Sequence, residues 1–166
     1  MLKLFKSAAQ LDFRKLMDVY EETNCLAGER DYPNASKNLQ VLFAEQDFYA
    51  FLELFFQDPA AIYAVWVEEG LYKAALRLEQ YLEGKLITAL ETHLEARQRG
   101  YATQLIENLK LCVAEPLYSH VEKSNAPSLA VHEKCGFIIQ EDKAIFLDGS
   151  THLDYYTLIL KKDPAV

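Results

Sequence analysis

The sequence predicts an α/β (α+β) fold: a mixed, mostly antiparallel twisted sheet of about seven strands, flanked by about four helices. Three observations predict it. Apolar residues recur at helical spacing in the first third of the chain and again after Gly100. Dense runs of β-branched and aromatic residues fill the middle and the end. Short Gly- and Asp-containing turns separate most of these runs, which joins neighbouring strands as antiparallel pairs rather than through crossovers.

Leu2 to Phe5 is a short opening strand. Leu11 to Thr23 is a helix, because Phe13, Leu16, Met17 and Tyr20 recur at helical spacing. A polar loop with Gly28, Pro33 and Asn34 follows. Lys37 to Phe56 is the second helix, with Leu39, Leu42, Phe43, Leu52, Phe55 and Phe56 as its apolar stripe, stopped by Asp58-Pro59. Ile62 to Val67 and Tyr72 to Tyr81 pair around Glu68-Glu69-Gly70, and Lys85 to Glu91 follows the turn at Gly84, completing a meander. Gly100 to Ala114 returns to helical period. Leu117 to Val121 is a short strand and Asn125 to Lys134 a short helix. Phe137 to Leu147 and Leu153 to Leu160 are two last strands around Asp148-Gly149.

The 166 residues suit one domain, 1–166. Hydrophobic residues are 51% of the chain and aromatics 12%, too apolar for a disordered segment. The net charge of −8 argues against nucleic acid or an anionic membrane as partner, since both are bound through a basic face. It keeps the protein dispersed, and it also suits a cationic substrate. Cys25, Cys112 and Cys135 are few and far apart, with no metal-ligand spacing, and read as small buried hydrophobes. The opening MLKLFKSAAQ has no apolar run of signal-peptide length, and no stretch approaches the roughly 20 apolar residues of a membrane span. A reduced, cytoplasmic setting is the expectation.

Two segments carry chemistry. Arg97-Gln98-Arg99-Gly100-Tyr101-Ala102-Thr103 follows a strand and opens a helix. Such a loop can aim successive backbone N–H groups at one point, and the helix start adds its positive end, which together make an anion site. The three-glycine dinucleotide pattern and the Lys-Ser/Thr phosphate loop are both absent, so a Gly at a strand-to-helix turn is equally a steric convenience. The second segment runs from Asn125 to Phe137. Asn125 is an N-cap, Pro127 lies in the first turn and Gly136 is the left-handed residue that ends the helix.

Together, and in this order, the two segments resemble the GNAT superfamily of N-acyltransferases. That family carries a [RQ]xxGx[GA] loop, a strand, and a helix of the form Nxx[SA]xxx[YH]xKxGF. Here the first reads RQRGYA, Arg97 to Ala102. The second reads NAPSLAVHEKCGF, Asn125 to Phe137, with LYSHV between them.

The resemblance implies an acetyl-CoA-dependent N-acetyltransferase. Acetyl-CoA would be cosubstrate and an amine the acceptor, with no metal. The backbone of Gln98 to Thr103 would bind the diphosphate, with side-chain charge from Arg97 and Arg99 unless both are simply solvated. The pantetheine arm would pair with the backbone of Thr92, His93 and Leu94, and Asn125 and Ser128 would contact the arm or phosphates. A general base is needed because an alkylamine is almost wholly protonated at neutral pH. Glu91, at a strand end beside the thioester, is the first candidate and His93 the second, while Glu95 reads as loop charge. His132 stands where the family usually has Tyr, and either protonates the leaving thiolate or only holds a hydrogen bond near the CoA sulfur. Tyr118 is the reserve acid or a core residue. The loop Gly28 to Lys37 and the run Phe48 to Phe56 would wall the acceptor pocket, unless the aromatic run is core. The resemblance leaves open monomer or homodimer, and a catalytically silent acyl-CoA-binding module as the alternative.

Overall fold

The computed structural model describes residues 1–161; residues 162–166, the end of the expected 1–166 domain, lie outside the described residues. Among the described residues, nine strands and five α-helices follow one another. They are β1 (Leu2–Phe5), α1 (Phe13–Val19), α2 (Glu21–Asp31), α3 (Lys37–Phe55), β2 (Ile62–Glu68), β3 (Leu71–Tyr81) and β4 (Gly84–Thr92). Then come α4 (Tyr101–Cys112), β5 (Leu117–Glu122), α5 (Ala126–Lys134), β6 (Ile138–Glu141), β7 (Ala144–Ile145), β8 (Thr151–His152) and β9 (Tyr155–Leu160).

Seven strands form one sheet in the order β1-β2-β3-β4-β5-β9-β6. Every neighbouring pair is antiparallel except β4 and β5, whose connection passes through α4. The expected mixed, mostly antiparallel sheet is therefore present, with five helices rather than about four.

Period-two alternation gives each strand two working faces. Ala64, Ala74, Leu76 and Leu78 face α4, where Leu105, Ile106 and Leu109 are fully buried. Tyr63, Val65 and Ala75 face the N-terminal helices, meeting Leu16, Met17, Tyr20, Leu52 and Phe55. Each such Leu, Ile or Phe contributes about 1.5–3 kcal/mol by leaving water.

Three expectations differ from the structure. The helix over Leu11–Thr23 is two helices, broken at Tyr20, which caps the end of α1 and the start of α2. The loop containing Gly28 begins later, because α2 continues to Asp31 and Gly28 packs inside it against the Gln40 backbone. The strand over Phe137–Leu147 is divided into β6 and β7, and an unexpected β8 lies in the turn region before β9: β6 and β9 join the large sheet, whereas β7 and β8 pair with each other around Asp148-Gly149 as a separate hairpin.

Candidate active site

Strands β4 and β5 pair at Lys85↔Leu117, Leu86↔Tyr118 and Ile87↔Ser119, and there their pairing ends. Beyond it β4 runs on to Thr92 beside β3, and β5 to Glu122 beside β9, so the sheet forks. The opened edges present backbone N–H and C=O groups that nothing in the sheet pairs, a ready seat for an extended, amide-bearing ligand.

A β-bulge sits in the fork. Arg77 pairs with Thr88 and Ala75 with Glu91, so Ala89 and Leu90 together face the single residue Leu76. Ala89 adopts φ +48°, a costly conformation for a residue with a Cβ. The Tyr20 hydroxyl, at the break between α1 and α2, donates to the Ala89 carbonyl at 2.6 Å and holds it there.

The chain leaves β4 through a 3-10 turn at Leu94–Ala96 and enters α4 through Arg97 to Gly100. Gln98 (φ +61°) and Gly100 (φ +80°) are both left-handed. Alternation of right- and left-handed backbone turns successive amides toward one concavity. The first hydrogen bond into α4 runs from the Gln104 N–H to the Gly100 carbonyl, 2.9 Å. The Tyr101, Ala102 and Thr103 amides precede it and have no intrahelical acceptor. Gly100 and these three residues line a cavity of about 740 Å³ with Thr92, Arg97 and Gln98, closed on the far side by Asn125, Ser128 and Val131 of the α5 segment.

The structure does not bring every candidate to this loop cavity. Arg97 does line it, but its guanidinium is engaged by Glu22, also on the wall, at 2.5 Å and lies 3.9 Å from Glu91. Arg99 is exposed and does not line the cavity. His93 caps the 3-10 turn, its Nδ1 accepting from the Glu95 N–H at 3.2 Å, and Leu94 belongs to the same turn. The free edge expected over Thr92–Leu94 runs instead over Thr88–Thr92. Asn125 caps α5, its Oδ1 accepting from the Ser128 N–H at 3.1 Å.

Glu91 lines the loop cavity next to Leu90, which the loop cavity shares with a second one. Its carboxylate accepts from the Thr23 hydroxyl at 2.7 Å. Burial pushes its pKa above the ordinary value, against the opposing pull of Thr23 and Arg97.

The second cavity, of about 520 Å³, lies in the fork itself, between the Leu86–Leu90 stretch of β4 and the Ser119–Glu122 stretch of β5. His132 lines it and is 1% exposed. Its Nδ1 lies 2.8 Å from the Ser128 carbonyl, which can only accept, so that nitrogen carries the hydrogen. Nε2 is then a bare acceptor, buried without a partner. Burial also lowers the imidazole's pKa. His132 is thus poorly suited to the acid role expected for it. Tyr118 is a core residue: it packs with Leu86 and Ile159, its hydroxyl donates to Glu83 just before the start of β4, and burial, then that bond, raise its pKa to about 12. It lines neither cavity.

The fork cavity has walls the sequence reading missed: His120 and Glu122 from β5, and Phe146, Asp148 and Tyr155 from the hairpin and the start of β9. Alternation along LYSHVE was the available signal, since it puts His120 and Glu122 on one face. The run Phe48–Phe56 lines neither cavity; Phe48, Phe55 and Phe56 pack in the core with Tyr20 and Tyr63.

Comparison with known proteins agrees with this geometry. A Thermoplasma acidophilum PaiA N-acetyltransferase solved with coenzyme A superposes with a TM-score of 0.63 at 12% identity, over 98% of this chain and 99% of that one. The Escherichia coli ribosomal-protein-S18-alanine N-acetyltransferase gives 0.62 at 18% identity, over 100% and 97%. Aminoglycoside 6′-acetyltransferase type Ii gives 0.64 at 16%, over 100% and 99%. At these identities the likeness is one of fold. No curated protein sequence matches the chain. The model of the Acetyltransferase (GNAT) family matches residues 20–137, which takes in the bulged strand, the amide loop and the α5 segment, and the chain belongs to that family.

Proposed function

We propose that the protein moves the acetyl group of acetyl-CoA to a primary amine of a small molecule or peptide, by direct attack of the amine on the thioester. Acyl transfer with acetyl-CoA as cosubstrate comes with membership of the family. The acceptor and the residue roles are the proposal.

One observation carries it: the fork between β4 and β5 opens at one end onto the unpaired amides at the start of α4. The residues present fit the cosubstrate. A diphosphate needs several converging donors, and the left-handed Gln98 and Gly100 with the Tyr101–Thr103 amides offer them. An amide-bearing arm needs a free strand edge, and Thr88–Thr92 is one. Asn125 and Ser128 line both cavities and so flank the passage between them.

Acetyl-CoA supplies an activated thioester; the protein's work is to present a neutral amine to it. Freeing an amine of pKa about 10.4 at neutral pH costs about 4–5 kcal/mol. Glu91 takes that proton, directly or through one water, and its raised pKa makes it a better base than an exposed carboxylate. The backbone at the bulge provides fixed dipoles for charge developing on the carbonyl oxygen. A thiolate of pKa about 8.5 leaves without a strong acid, which agrees with the unprotonated His132 Nε2.

The test mixes the protein with acetyl-CoA, a panel of amines and a thiol reagent. Amine-dependent release of CoA is the expected result. CoA binding with no turnover on any amine would overturn the reading and leave a silent acyl-CoA-binding module.

A further inference from the structure

The far wall of the fork cavity carries groups that acetyl-CoA binding leaves unused. His120 stands one residue past the last parallel pair of the fork. Its Nε2 lies 3.3 Å from the Tyr81 hydroxyl, and Tyr81 donates its one hydrogen to the Ile145 carbonyl at 3.0 Å. Between the two, the imidazole must therefore be the donor. The hydrogen is on Nε2, Nδ1 keeps a bare lone pair, and no hydrogen bond to it forms among the described residues. Burial, with His152 nearby, lowers the pKa to about 4, so the ring stays neutral at physiological pH.

The β7–β8 hairpin faces it. Asp148 Oδ1 accepts from the Ser150 N–H at 2.8 Å and from the Ser150 hydroxyl at 2.5 Å. His152 Nε2 lies 2.9 Å from that hydroxyl oxygen, whose hydrogen is already spent, and so donates to it. The Ser150 bonds hold Asp148 below the usual carboxylate range, and it stays charged. Phe146 stacks between His120 (centroids 5.4 Å apart) and His152 (3.9 Å), which fixes the hairpin to β5.

Both charged side chains lining this cavity, Glu122 and Asp148, are acidic; no lysine or arginine lines it among the described residues. The buried, unpartnered Nε2 of His132 is a further acceptor in the same cavity. A cavity of about 520 Å³ is of small-molecule size. Its polar complement is thus an amine-rich cation.

We infer that the fork cavity is the acceptor site and selects a small amine bearing a second positive charge: the reacting nitrogen offers an N–H to His120 Nδ1, and the second ammonium pairs with Asp148. The inference rests on the amine-acetylation reading above. A neutral imidazole orients the amine without repelling the cation.

The test compares 1,4-diaminobutane with 1-aminobutane as acceptors for the full chain and acetyl-CoA. The diamine is the better substrate by about two- to fivefold in kcat/KM, the worth of one solvent-exposed ion pair to Asp148. Asp148→Asn, which keeps the shape of the side chain, removes that preference by raising the diamine KM and leaves the acetyl-CoA KM unchanged. His120→Gln lowers kcat/KM for both amines alike. A preference retained in Asp148→Asn, or a peptide amine acetylated ahead of both probes, overturns the inference. If no amine turns over, calorimetric titration of 1,4-diaminobutane into the protein with CoA separates the two readings. Binding weakened by Asp148→Asn keeps the site and discards the amine acetylation, whereas no binding, or equal binding, discards the site.

Discussion

Gly100 shows what a single residue does here. Its left-handed φ of +80° sets the chain's entry into α4, whose Tyr101–Thr103 amides have no intrahelical acceptor, while a Cβ built on it meets nothing within 4 Å. Gly100→Val is therefore expected to fold, and to lose CoA affinity by roughly ten- to a hundredfold, since the backbone strain is worth about 1–3 kcal/mol. Calorimetry with CoA checks it, and undiminished affinity would contradict the amide loop. Glu91 makes a pH prediction. Its pKa is raised above the ordinary carboxylate value, and the proposed base role requires the deprotonated form. Hence kcat/KM falls as pH drops through that raised pKa. Glu91→Gln removes this acid limb, lowers neutral-pH turnover by about 10²–10⁴, and is partly rescued at high pH, where free amine is abundant. An unchanged pH profile would remove Glu91 as base. Tyr118→Phe leaves kcat unchanged in the same assay, because its hydroxyl points to Glu83 and lines neither cavity.

At the scale of elements, the motif helix and loop were legible because their signals are local. Asn125 caps α5, Gly136 is left-handed at φ +89°, and Gly100 precedes α4 as the sequence suggests. The bulge was not legible, since ITALE contains no glycine and its left-handed Ala89 is held from a distant helix. The α2–α3 pair was misread for a related reason. Gly28 looks like loop punctuation, yet it lies mid-helix where a Cβ would come within 2.4 Å of the Gln40 carbonyl oxygen. Gly28→Ala gains up to about 1 kcal/mol in helix propensity but forces two backbones apart. The expected net result is a loss of about 1–3 kcal/mol, the usual cost of overpacking. A lowered urea midpoint at unchanged m-value would show it.

For the whole molecule, the sheet's class and its antiparallel meander followed from run length and turn spacing, because short connections leave few topologies. The fork cavity did not, because its walls are far apart in the chain: β4, β5, α5 and a hairpin that leaves the main sheet. No helix among the described residues is long and apolar enough to cross a membrane. The sheet's two faces are covered by different helices, α4 on one and α1 and α3 on the other, and the fork opens between those layers.

One oxygen atom ties the N-terminal layer to the bulge. The Tyr20 hydroxyl sits at the joint of α1 and α2, yet it is the anchor of the Ala89 carbonyl, 69 residues away in sequence. Tyr20→Phe deletes that anchor, together with the hydroxyl's interaction with Tyr63. It is expected to lower kcat while the KM for acetyl-CoA stays put, and an unaltered kcat would show that the bulge stands unaided. Strain in β4 is thus sustained from outside it, so on the proposed reaction the helical layer acts as a brace whose slackening would be felt at the thioester before it was felt at the diphosphate.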